Sequence, residues 1–75
     1  MNLIITESDI VSDNRIIQER DGHTSYYTLP LHARRVVLYR HSAGRGQLVL
    51  GGFKSTTVTV AGPLRVLEPL LEAVL

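Results

Sequence analysis

The sequence predicts an α+β fold, mostly β: an antiparallel sheet of four to six strands closed by one C-terminal amphipathic helix. Three observations lead there. Asp21-Gly22 separates two β-prone runs, and this pair suits a two-residue hairpin because both central positions need positive φ. Ser55-Thr56-Thr57-Val58-Thr59-Val60 alternates polar and apolar residues, as a half-buried strand does. Leu64, Leu67, Leu71 and Val74 recur at spacings of three and four, and Leu70 and Leu75 widen that helical stripe.

Along the chain, Leu3-Ile4-Ile5-Thr6 reads as a first strand. Turn-forming clusters follow at Glu7-Ser8-Asp9 and Ser12-Asp13-Asn14, on either side of Ile10-Val11. Around Asp21-Gly22 the expected register sets Ile17 opposite Tyr26 and Ile16 opposite Tyr27. One pair then faces the core and the other faces away, because side chains alternate. Pro30 lacks a backbone donor, so it ends that strand or confines it to an edge. Arg34 to His41 forms the next strand, with Arg34, Val36, Leu38 and Arg40 on one face and Arg35, Val37, Tyr39 and His41 on the other. Ser42 to Gly46 is a glycine-bearing loop, Gln47 to Leu50 returns as a strand, and Gly51-Gly52 marks a bulge or bend. In the strand that follows, Val58 and Val60 point inward. Pro63 suits a helix entry. Pro69 lies too deep for a helix beginning there, so either the helix kinks or its main part starts near Pro69.

Seventy-five residues make a single domain, 1–75. A chain this short buries only about 60% of its unfolded surface, so its core is marginal. Cysteine is absent, which excludes a disulfide and a thiolate metal site. That elimination points to a homodimer, with Leu64, Leu67, Leu70, Leu71, Val74 and Leu75 as its interface, unless the stripe lies across the sheet. Nothing in the sequence resembles a signal-peptide core or the ~20 apolar residues of a membrane span, and a cytoplasmic location is expected.

The net charge of +1 conceals an uneven distribution. Residues 1–33 set Arg15 and Arg20 against Glu7, Asp9, Asp13, Glu19 and Asp21. Residues 34–75 set Arg34, Arg35, Arg40, Arg45, Lys54 and Arg65 against only Glu68 and Glu72. Such asymmetry marks a surface for an anionic partner, or else two halves that neutralise one another on folding.

Catalytic chemistry finds little support. His23, His32 and His41 are spaced nine residues apart, with nothing to make them converge on a metal, and they read as exposed loop residues. There is no nucleophile-elbow pattern, and Asp9 and Asp13 are more simply turn residues. The glycines of Gly44-Arg45-Gly46 and Gly51-Gly52 do not form a phosphate loop, because a strand rather than a helix follows Lys54-Ser55. A domain this small has little room for the usual pocket of ~300–1,000 Å³. The expectation is a non-enzymatic chain with no cofactor.

What remains is a binding face. Arg34, Arg35, Arg40, Arg45 and Lys54 form a run of cations with no acid among them, and Tyr39 and His41 are interleaved with them. Cations that follow a phosphate backbone, with rings that stack on bases, are the means by which sheet domains hold single strands. The element order, and in particular Ser55 to Val60, the Ala61-Gly62-Pro63 turn and the helix ending Leu70 to Leu75, resembles the PUR repeat and the positive-cofactor-four type of single-strand-binding domain. That resemblance covers residues 15–75. It implies a dimer of nucleic-acid-binding sheets and carries Tyr39 and Arg35 over as contact residues, while the N-terminal strand and Pro69 depart from the pattern. Two functions are therefore expected: binding of single-stranded DNA or RNA, or a small protein-binding module or inhibitor, such as a phage-type accessory protein, covering an acidic surface on a larger complex.

Overall fold

The computed structural model describes residues 1–31, 33–53 and 56–75. Among the described residues, seven strands precede one helix: β1 (Asn2–Ile4), β2 (Ile10–Ser12), β3 (Arg15–Arg20), β4 (His23–Thr28), β5 (Arg35–Arg40), β6 (Arg45–Phe53), β7 (Thr56–Pro63) and α1 (Leu64–Val74). The class is as expected, but the strands divide between two sheets. One has four strands in the order β1-β7-β6-β5, and the other has three in the order β2-β3-β4. The single antiparallel sheet is corrected in a second respect: β1 runs parallel to β7, with Leu3 opposite Val60.

The division begins at Pro30. β4 ends at Thr28, and the chain leaves for the second sheet because proline has no N–H with which to extend a ladder. The β3–β4 hairpin has the predicted register, Ile17 opposite Tyr26 and Ile16 opposite Tyr27. Asp21 (φ 52°) and Gly22 (φ 77°) both adopt the left-handed conformation that this turn demands. Between β6 and β7 the ladder is irregular from Leu50 to Phe53, where Gly51-Gly52 suggested a bulge. Between β5 and β6 the turn is shorter than the predicted loop, since Arg45 and Gly46 already belong to β6.

Both sheets and the helix enclose one core. Leu3, Leu48, Leu50, Val58 and Val60 come from the four-stranded sheet. Ile16 and the adjoining Leu29 come from the other side, and Leu67, Leu70 and Val74 come from α1. The proposed oligomer interface is corrected here. Leu67, Leu70 and Val74 are buried inside their own chain, and only Leu64, Leu71 and Leu75 retain any exposure. The stripe lies across the sheet because α1 follows β7 directly and folds back over β5, β6 and β7.

Pro69 lies within a continuous helix. Its ring removes the hydrogen bond to Arg65, but both residues face solvent, where water satisfies the freed carbonyl. Pro63 occupies the N-cap position without a side-chain cap. In its place the Leu64 N–H donates to the Gly44 carbonyl at 2.8 Å, so the β5–β6 turn caps the helix. Close approach also explains two glycines. A Cβ on Gly46 would strike the Tyr39 carbonyl and Leu64, and one on Gly62 would strike the side chain and carbonyl of Ile5.

Candidate nucleic-acid interface

Strand alternation determines which of the predicted residues act together. Val36 and Leu38 face Leu50 and Leu48 on the core side of the four-stranded sheet. Arg35, Val37, Tyr39 and His41 therefore look outward, as do Arg45, Gln47 and Val49 of β6 and Thr57 and Thr59 of β7. The helix and the second sheet both pack on the inner side, and no described element covers this outer face. Tyr39 is 51% exposed at its centre, opposite Gln47. Val37 and Val49 form a half-buried pair beside it. Arg34, just before β5, joins Arg35 in lining a shallow depression with Val49, Gly51 and Thr57.

Two predicted members stand outside this group. Arg40 points to the helix side, where its guanidinium pairs with Glu68 at 3.3 Å, so the alternation that gathers Arg35 and Tyr39 removes it. Lys54 lies outside the described residues, as does His32. Arg45 shares a depression with Glu7, but that carboxylate is engaged by Arg65. Among the described residues, Arg34, Arg35 and Arg45 enter no ion pair. The outer rows of the four strands contain no acid. The two halves of the chain therefore do not simply neutralise one another.

Sequence reasoning missed Ile4, which is 70% exposed on the same face, and Gln47, whose place beside Tyr39 depends on the β5–β6 register. It also understated Asp9. As expected, Asp9 closes a turn, accepting the Thr6 N–H at 2.8 Å. It is also the centre of a network with Arg20, at 2.7 and 2.9 Å, and Gln18, at 3.1 Å. The Arg20 hydrogen bonds outweigh the opposing cost of burial and, helped by Thr6 and Gln18, lower the Asp9 carboxyl to about 2. Asp9 in turn holds the Arg20 guanidinium more firmly protonated. The Gln18 amide also donates to the Ile4 carbonyl at 2.8 Å, tying the two sheets together.

His23 opens β4 and His41 lies just beyond the end of β5, and no metal-binding cluster of histidine and carboxylate occurs among the described residues. No described helix is long and apolar enough to cross a membrane. No family model, curated protein or solved structure matches this chain.

Proposed function

We propose that the outer face of the four-stranded sheet is a non-enzymatic binding surface for single-stranded DNA or RNA. The observation behind this reading is a face that no described element covers, whose described strand rows hold no acid, and that carries Arg34, Arg35 and Arg45 around the half-exposed Tyr39. The arginines contact successive phosphates, and Tyr39 provides one stacking platform. Fluorescence polarisation with labelled oligonucleotides across a salt series tests it. Three phosphate contacts on a single strand give a log–log salt slope of about −2. Tyr39→Ala weakens binding by about 1–3 kcal/mol without altering that slope. Absence of binding at low salt, or binding indifferent to salt, eliminates the proposal. The cysteine-free composition suits a cytoplasmic setting for such a protein.

A second reading has its own support. Tyr26 and Tyr27 belong to the other sheet, so Tyr39 is the only tyrosine on this face. A flat cationic surface with one ring also fits an acidic protein partner, as a small inhibitor of a larger complex would require. Pull-down after nuclease treatment separates the two: a specific protein retained on wild-type chain and lost with Arg35→Glu favours the protein partner.

A further inference from the structure

Among the described residues, four strands stand at sheet edges: β1 and β5 in one sheet, β2 and β4 in the other. Edges invite pairing with other chains unless they are short, charged or bulged. β1 and β2 have three residues each, and β5 is bracketed by Arg35 and Arg40. β4 has none of these protections. It runs for six residues, His-Thr-Ser-Tyr-Tyr-Thr, with no lysine, arginine, acid, proline or glycine, and only Tyr27 is partly buried.

The direction of its backbone groups follows from its neighbours. The Leu29 N–H donates to the Asn14 carbonyl at 2.7 Å, and the Leu29 carbonyl accepts from the Asn14 side-chain amide at 2.8 Å. Leu29 thus turns its polar groups toward the β3 side, and by alternation so do Tyr27, Ser25 and His23. The closing pair of the hairpin, Arg20 opposite His23, agrees with this phase. Thr24, Tyr26 and Thr28 therefore direct their N–H and C=O groups away from the sheet, along the open edge.

We propose that β4 pairs antiparallel with β4 of a second copy of this chain, Tyr26 opposite the partner's Tyr26 and Thr24 opposite the partner's Thr28. Shifting the register by one residue would bring outward-directed groups against inward-directed ones, and shifting by two would lose a pair. The centred register satisfies all three outward residues at once, with about six main-chain hydrogen bonds.

Side chains identify the occupant as a second copy. Ile10, Ile17 and Tyr26 form one cross-strand row on the outer face of the three-stranded sheet, and Ile10 and Tyr26 are 62% and 67% exposed. In the pair, this row meets its own image and becomes one apolar row across six strands. The row beside it runs Ser12, Arg15, Thr28 and continues into the partner's Thr24 and Glu19, so the seam sets threonine against threonine and brings no like charges opposite each other. This interface uses no residue of the cationic face.

The test is sedimentation equilibrium of the full chain from micromolar to millimolar concentration, with amide exchange followed by NMR. The expected mass rises from 8.3 kDa to twice that value. The Thr24, Tyr26 and Thr28 amides gain protection in step with it. Tyr26→Lys places like charges opposite each other at the symmetry axis and raises the dissociation constant about tenfold or more. Thr24→Lys, at an exposed position, weakens the dimer in the same direction should the first variant fold poorly. A chain that stays at 8.3 kDa at millimolar concentration overturns the proposal. So does a dimer whose three edge amides remain unprotected, or one that yields only to substitution of Leu71 and Leu75.

Discussion

The two sheets share one core but differ in what they turn outward. The four-stranded sheet presents arginines around a single ring, and the three-stranded sheet presents an apolar row beside an open edge. They differ inward as well. The larger sheet anchors itself with Leu3, Leu48, Leu50, Val58 and Val60, whereas β2–β4 rely on Ile16, with Leu29 just beyond the last strand. In so small a domain the sheet with more buried contacts is the scaffold, and the other is attached to it at a few points.

Ile16→Ala tests that contrast most severely. It leaves a cavity beneath the smaller sheet and costs about 2–5 kcal/mol in chemical denaturation, a large part of a small domain's stability. Amides of β2–β4 should exchange before those of β6 and β7. Simultaneous exchange of both sheets would show a single cooperative unit instead. Gly62→Ala attacks the scaffold from within, since the new methyl meets Ile5, and costs about 1–3 kcal/mol.

Asp9→Asn tests the junction between the sheets. The Asp9 carboxyl is lowered from 3.8 to about 2 in the folded chain. Its contribution is therefore present above pH 4 and lost as pH falls toward 2, because protonation then favours the unfolded state. The side chain is almost fully enclosed, but Arg20 is half exposed, so the contribution is about 1–2 kcal/mol. Acid titration of stability should be flatter in the variant across that window. Arg40→Ala has the smallest effect: its pair with Glu68 is exposed at both ends and worth less than about 0.5 kcal/mol. Because Arg40 faces away from Tyr39, oligonucleotide affinity should be nearly unchanged, whereas Arg35→Ala reduces the salt slope by about 0.7.

Local chemistry was readable from the sequence wherever it was self-contained. Asp21-Gly22 determined its own turn and, through it, the pairing of Tyr26 and Tyr27. Threonine–valine alternation in β7 identified Val58 and Val60 as core. Longer-range facts were not readable. Three-residue strands such as β1 and β2 are too short to show a period, so neither the parallel pairing of β1 nor the second sheet announced itself. A leucine stripe looks the same whether it covers a sheet or a second molecule, so spacing alone does not show that Leu67, Leu70 and Val74 are buried inside their own chain. In the candidate site, alternation already separated Arg35 and Tyr39 from Arg40. Proximity along the chain had grouped them, and the fold divided them.

The parallel pairing of β1 with β7 has a kinetic consequence. Leu3 meets Val60, and the Met1 carbonyl accepts from the Thr59 N–H, across nearly the whole chain. Closing so long a loop is entropically costly and is rewarded only once β7 exists to receive the strand. β1 must therefore wait for β7 to form, and it should be the last strand to lock into the four-stranded sheet, setting the pace at which that sheet is completed.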